Sequence, residues 1–287
     1  MSHVSIIGLG AMGSALTKAL LREGYHVTVW NRSSQKMQSM MDAGAQPASY
    51  PEEAIIASPI IIVCVSDYAA SYQILDTTER RSMLQGKILI QLSTGSPQEA
   101  RECAQWAQHT GIHYLDGAIA CTPSQIGTAH AALFTSGSAF AFEYSESLLR
   151  CIASNTSYLG EQVSTASSTE LAFLAYLFGS YIGFFHAVRI LESDHLRIDS
   201  FGAMISQLSP IIGQVMQQQS EVIQWDTYNT AQSSVNMCMT TVRLFMQHAR
   251  EADINDEFPS LAYRLFNQAQ HAGYGEEELA AVVKVMR

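Results

Sequence analysis

From Val4 to Trp30 the chain reads VSIIGLGAMGSALTKALLREGYHVTVW, with Gly8, Gly10 and Gly13 between a short apolar run and a helix-like stretch. Few arrangements need glycine at that spacing. Gly8 permits a tight turn, Gly10 lets a pyrophosphate approach the backbone, and Gly13 lets the helix pack closely on the strand. The helix start then offers unpaired N–H groups, at Leu9, Ala11 and Met12 as well as the glycines, to an anion. A dinucleotide-binding βαβ unit is the fold this stretch implies.

The pieces that follow keep the pattern. HVTVW alternates as a strand, and Ser33 or Ser34 is placed to cap a helix running to Gly44. Pro51 starts a short helix, while PIIIVCVS and KILIQLS read as buried strands. Pro97 opens the helix QEARECAQWAQH, and IHYLDGAIA and AALFTS are further strands. Strands separated by helical segments predict a parallel, doubly wound α/β sheet.

The second half is helical in pattern. STASST leads into LAFLAYLFGSYIGFFHAV, 18 residues without Asp, Glu, Lys or Arg. A helix of roughly 30 residues there would be about 45 Å long, enough to leave one domain and enter another. The run meets the length threshold for a membrane span. His186, Ser180, two tyrosines, two glycines and the lack of a positive flank favour instead a helix buried in a soluble oligomer. Val235, Cys238, Met239, Val242, Phe245, Met246 and Ala249 then form an i, i+3, i+4 stripe, read as packing.

Composition narrows the class. A net charge of -10 without a dense basic cluster argues against nucleic acid as a partner. Only 15% of residues are charged while 47% are hydrophobic, which suggests a large subunit interface. The five cysteines lack CxxC spacing, and with no signal peptide read they point to free thiols in the cytoplasm. No metal site is expected: His109 and His113 read as surface or loop residues, and His186 as a buried residue with its hydrogen bonds satisfied.

The end of the second strand bears on cofactor choice. An NAD site usually carries Asp or Glu there, for the ribose 2′-hydroxyl. This chain has Asn31, Arg32 and Ser33, with Lys36 close behind. A guanidinium pairs with a 2′-phosphate that a carboxylate would repel, so NADPH is the expected cofactor. The plain alternative leaves Arg32 a solvated loop residue.

With GLGAMG, VTVWNRS, ASPIIIVCVSDY, QLSTGSPQEAREC, HYLDGAIACTPSQIGT, SYIGFFHA and HAREADI, the chain resembles the imine reductases of the β-hydroxyacid dehydrogenase superfamily. The resemblance implies an N-terminal Rossmann domain (residues 1–162), a long interdomain helix (163–193) and a C-terminal all-α bundle (194–287). It implies NADPH-dependent reduction of cyclic imines or iminium ions, with an imine or a carbonyl and an amine as substrate. It also implies an intertwined homodimer whose sites lie between one subunit's Rossmann domain and the other's bundle. Cys64, Val65, Ser66, Ser93 and Thr94 join the cofactor set on the same basis.

The superfamily's hydroxyacid dehydrogenases carry a catalytic lysine where this chain has Glu170. A carboxylate stabilises a protonated C=N group, whereas a lysine stabilises an alkoxide. Imine reductases commonly place Asp or Tyr there. Phe178 stands where many relatives with reductive-amination activity have Tyr, and Tyr181, three residues on, is placed to replace the hydroxyl. Leu174, Phe178 and Cys238 complete the implied substrate pocket, and Thr94 and Cys238 replace residue types common in relatives. Glu170 is then either proton donor or cation stabiliser; its plain alternative is a carboxylate favoured at a helix N-terminus, and for Tyr181 it is a core aromatic. A hydroxyacid dehydrogenase or a non-catalytic NADP-binding protein are the competing functions.

Overall fold

The computed structural model describes residues 3–287. In chain order its elements are β1 (Val4–Ile7), α1 (Ala11–Arg22), β2 (Val27–Trp30), α2 (Gln35–Met41), β3 (Gln46–Pro47), α3 (Pro51–Ala57) and β4 (Ile60–Val63). There follow α4 (Tyr68–Leu75), α5 (Thr78–Leu84), β5 (Ile88–Gln91), α6 (Pro97–Thr110), β6 (His113–Ile119), β7 (Ala132–Gly137), α7 (Ala139–Ile152) and β8 (Asn155–Tyr158). The remainder is helical: α8 (Ser164–Ser193), α9 (Ile198–Gln224), α10 (Val235–Glu251), α11 (Glu257–Ala269) and short terminal turns. The chain divides into two compact units, residues 1–175 and 176–287, so α8 contributes to both. That division falls inside the expected interdomain helix rather than at either of its ends.

In the first unit the strands form one sheet, ordered β3-β2-β1-β4-β5-β6-β7-β8. Strands β1, β4 and β5 are buried along their whole length, as helices on both faces of a parallel sheet require. Their alternate side chains feed two cores. Val4, Ile6, Ile60, Ile62, Ile88 and Ile90 join Leu16 and Leu20 of α1 and Leu148 and Leu149 of α7. Ile7, Ile61, Val63 and Leu89 join Ile55, Leu75, Leu84, Cys103 and Ala107 on the opposite face. Strand order reverses at β1–β4, which puts a cleft outside their carboxyl ends.

Two expectations need correction here. The sheet is not wholly parallel, because β7 pairs antiparallel with β6. Between those strands the chain forms only a short 3-10 turn at Pro123–Gln125, too little for the crossover that a parallel return needs. Helix α2 is short, and Ser34 at its N-cap makes no side-chain capping bond. By contrast α6 begins as its sequence suggests, with Pro97 in the first turn and a reciprocal Ser96–Glu99 capping box.

The second unit is all helical. Ser234 caps α10 by accepting the Met237 N–H, and Val235, Met239, Val242 and Ala249 of the expected stripe are buried. Phe245 of the same stripe is exposed. Helix α8 has the expected length, 30 residues, but its most apolar window is only 6% buried within this chain. It is the one helix among the described residues long and apolar enough to cross a membrane. His186 is 9% exposed and packs on Phe258, yet its Nε2 has no hydrogen-bond partner, contrary to the satisfied residue expected. Burial lowers its pKa, with a smaller push from His248, so a neutral ring fits that pocket.

Candidate active site

The βαβ glycines do three separate jobs. Gly8 has φ +102, and a methyl group there would overlap the Cys64 carbonyl and meet Val65 Cγ1 at 2.8 Å. A methyl on Gly13 would overlap the Gly8 carbonyl oxygen. Gly10 differs: nothing lies within 4 Å of where its Cβ would be, so its missing side chain leaves open space rather than room for a neighbour. Gly10 is also the N-cap of α1, and no side chain caps that helix start. The first N–H groups of α1 therefore face open space suited to an anion.

That space is a cleft of about 650 Å³. Gly8, Gly10, Ala11, Met12 and Gly13 form one wall, and Asn31, Arg32, Ser33 and Lys36 close the end beyond β2. Cys64, Val65 and Ser66, after β4, also line it, with Cys64 and Val65 against Gly8. Burial pushes the Cys64 thiol up to about 11, so it is neutral and unreactive there. Arg32 and Lys36 are exposed. An open backbone cradle, an uncapped helix start and two cations at one end fit a phosphorylated dinucleotide.

Asn31 answers for its own position. Its Oδ1 accepts the Leu9 N–H at 2.9 Å, and its Nδ2 donates to the Ser33 carbonyl at 3.0 Å. The amide thus ties the glycine turn to the β2 end and shapes the loop that presents Arg32.

Three of the expected cofactor residues, Leu9, Ser93 and Thr94, are not part of this cleft's lining. Leu9 is buried and contributes its N–H to Asn31. Ser93 is buried and its Oγ accepts the Val65 N–H at 3.0 Å, so it supports the wall. Thr94 instead donates its hydroxyl to Glu170 Oε1 at 3.1 Å. The cleft also includes Trp30, at the end of the expected strand β2, and Ala70, Gln73 and Ile74, which sequence reasoning missed because α4 went unassigned. A signal was present: Asp67 caps α4 by accepting the Ala70 N–H at 2.7 Å.

Glu170 lies in the second turn of α8 and is half-buried. Burial raises its pKa and the charge of Asp116 adds to this, against the hydrogen bond from Thr94. A carboxyl so placed keeps its proton to higher pH than a solvated one or, ionised, faces a cation. Leu174 is half-buried one turn on. In the second unit Phe178 and Tyr181 are exposed and meet edge to face, their ring centres 6.1 Å apart. Tyr181 therefore lies outside the core of this chain. Cys238, on α10, is half-buried, and burial raises its thiol. Among the described residues no group of three or more His, Cys, Asp or Glu is arranged to hold a metal.

Comparison with known proteins agrees with this geometry. Residues 3–160 match the family described as the NAD binding domain of 6-phosphogluconate dehydrogenase, and residues 163–287 the NADPH-dependent reductive aminase-like C-terminal domain. An NADPH-dependent reductive aminase from Aspergillus oryzae is 30% identical over 99% of this chain and 97% of its own. The chain belongs to the imine reductase and reductive aminase family. The imine reductase from Myxococcus stipitatus, solved in complex with NADP+, superposes with a TM-score of 0.93 at 33% identity, covering 99% of this chain and all of the other. A reductive aminase from Aspergillus terreus, in complex with NADPH4, cyclohexanone and allyl amine, superposes at 0.92 with 28% identity, covering 100% of this chain and 99% of that one.

Proposed function

We propose that this chain is an NADPH-dependent oxidoreductase that reduces the C=N bond of cyclic imines or iminium ions to amines, with Glu170 as its acidic group. The observation that carries the reading is the half-buried Glu170 carboxyl, held by Thr94 and raised in pKa, in a unit whose cleft fits NADPH. When bound, NADPH supplies a hydride to the substrate carbon. The substrate nitrogen must be protonated for that carbon to be electrophilic enough. Glu170 serves this either by donating the proton or by stabilising an iminium that arrives protonated. Thr94 holds the carboxyl in place, and its single hydrogen bond leaves the second oxygen for substrate. Leu174, Phe178 and Cys238 are the proposed apolar lining, and Tyr181 the proposed hydroxyl that replaces the one lacking at Phe178. The A. terreus enzyme's complex with a ketone and an amine supports carbonyl and amine partners as further substrates.

We place the enzyme in the cytoplasm as a homodimer with exchanged helices, without membrane or nucleic-acid partners. Support for the dimer comes from apolar side chains that the single chain leaves bare. Phe173, Tyr176, Ile182 and Phe185 of α8 are each more than 40% exposed, as are Met204, Ile211 and Met216 of α9. A face of that size needs a cover, and a second copy is the cover that low charge and high hydrophobicity favour. The five cysteines are all free, in keeping with a reducing compartment.

The test is NADPH consumption with small cyclic imines by the wild type and Glu170→Gln, with NADP+ reduction by 3-hydroxyacids as the competing reaction. Turnover of imines, cut about a hundredfold in kcat in the variant with NADPH binding intact, supports the reading. Unchanged kcat in Glu170→Gln, or turnover of hydroxyacids alone, removes it.

A further inference from the structure

The first unit contains a second carboxyl that the proposed reaction does not use. Asp116 is 1% exposed, in the middle of β6. Tyr68 of α4 donates its hydroxyl to Asp116 Oδ1, and Tyr114 donates to the same oxygen at 3.0 Å. A buried carboxyl is costly unless something specific holds it, and here one of the holding groups, Tyr68, also lies under the loop that carries Thr94.

Two structural paths lead from Asp116 to the Thr94–Glu170 pair. The first runs through α8. Ser136, directly opposite Asp116 across the β6–β7 ladder, accepts the Ala166 N–H at 2.9 Å and donates to the Val163 carbonyl at 2.7 Å. Ser167, one residue on and 2% exposed, donates its hydroxyl to the Ser164 carbonyl at 3.2 Å, and its polar groups hold Asp116 below where burial alone would put it. The carboxyl thus sits at the N-terminal turn of α8, where the helix dipole favours negative charge, and Glu170 follows one turn later. The second path runs through Tyr68. A methyl on Gly95 would overlap the Tyr68 ring, so the loop carrying Thr94 rests on the ring whose hydroxyl Asp116 holds.

We propose that Asp116 is a positioning residue for the reaction: it anchors both the α8 turn that carries Glu170 and the Tyr68 ring beneath Thr94. This rests on the reading of Glu170 as the acidic group. The groups around Asp116 are Tyr68 from α4, Tyr114 on its own strand, Cys103 from α6, and Ser167 and Glu170 from α8. Burial raises both tyrosines and pushes Cys103 up to about 11, so all three are neutral. Burial also pushes Asp116 up to about 6, opposed by its hydroxyl donors. The charge of an ionised Asp116 raises Glu170 and so keeps its proton to higher pH.

The experiment is the pH profile of kcat with NADPH and a cyclic imine for the wild type, Glu170→Gln, Asp116→Asn and Tyr68→Phe. Glu170→Gln identifies the titration that belongs to Glu170 by abolishing it. Asp116→Asn keeps the hydrogen-bond acceptor but removes the charge, and should lower that midpoint by about 0.5–1 pH unit. Tyr68→Phe keeps the ring under Gly95 but takes a donor from Asp116, which is then harder to ionise, and should move the midpoint the same way by less. It decides the matter if Asp116→Asn does not fold. A purely structural role for Asp116 would lower kcat at every pH and leave the midpoint in place; that result overturns the proposal. A titration that survives in Glu170→Gln overturns the underlying reading instead, and is seen in that variant alone.

Discussion

Gly10 and Gly13 are three residues apart in the same motif, and the structure gives them opposite reasons to be glycine. Their alanine variants therefore separate binding from folding. At Gly10 (φ -67, ψ -173) a methyl group is conformationally allowed and meets nothing within 4 Å. Alanine should gain about 0.4–1 kcal/mol from a stiffer unfolded chain and lose a similar amount as a poorer N-cap, so stability should change by less than about 0.5 kcal/mol. The methyl would, however, stand where a pyrophosphate must approach the N–H groups of α1. Loss of one or two charge-assisted hydrogen bonds, each about 1.5–3 kcal/mol, weakens NADPH by tenfold or more. Gly13→Ala overlaps a backbone carbonyl that cannot swing aside, and should cost about 1–3 kcal/mol or more. The assay is thermal unfolding of both variants without nucleotide, followed by NADPH titration of whichever folds. If Gly10→Ala melts as low as Gly13→Ala, or binds NADPH as tightly as the wild type, the middle glycine is not the cofactor cradle.

Arg32→Ala should raise the KM for NADPH about tenfold to a hundredfold and leave that for NADH nearly unchanged, because only the 2′-phosphate loses its partner; equal losses in steady-state kinetics would place Arg32 elsewhere. Sedimentation should show a dimer at low micromolar concentration, and an active monomer would refute the shared-interface reading. Asp116 has its pKa raised to about 6, against roughly 3.9 in an unfolded chain, so the folded state binds the extra proton, and the stability this contributes is full below about pH 4 and lost as pH rises through about 6. Relative to the wild type, Asp116→Asn should therefore gain about 2 kcal/mol between about pH 4.5 and pH 7.5 in urea unfolding, and a constant difference would contradict the burial argument.

Local pattern made part of this molecule readable in advance. The glycine turn, the buried strands and the α6 capping box are signalled within a few residues of one another. So was the 30-residue length of α8, since an unbroken run without proline leaves a helix few places to end. What escaped depends on residues far apart in sequence. The reversal of β7 follows from the absence of a crossover helix after β6, which residue types alone do not announce. Ser93 and Leu9 are not part of the cleft's lining because of partners 28 and 22 residues away. Asp116 looked like an ordinary strand residue until residues 68, 114 and 167 closed around it. The exposure of α8 was hidden for a different reason. An apolar helix reads as buried, and this one is buried only if something outside the single chain covers it.

Asn31 brings these levels together. The bond from the Leu9 N–H to its side-chain oxygen could be made equally well by aspartate, whose shape is nearly the same. Structure alone would therefore accept either residue, and only charge distinguishes them. The chain carries a net charge of -10, so its overall field opposes a polyanionic cofactor. Salt screens that field beyond about 8 Å, and attraction must come from groups within reach of the phosphates. The uncapped start of α1, Arg32 and Lys36 supply it. A carboxylate at position 31 would set a negative charge beside Arg32 and compete with the 2′-phosphate for its guanidinium. The amide keeps the bond that shapes the turn, adds the Nδ2 bond to Ser33 that an ionised carboxylate could not donate, and leaves Arg32 free for phosphate. The same residue thus serves the fold through its oxygen and cofactor choice through its neutrality.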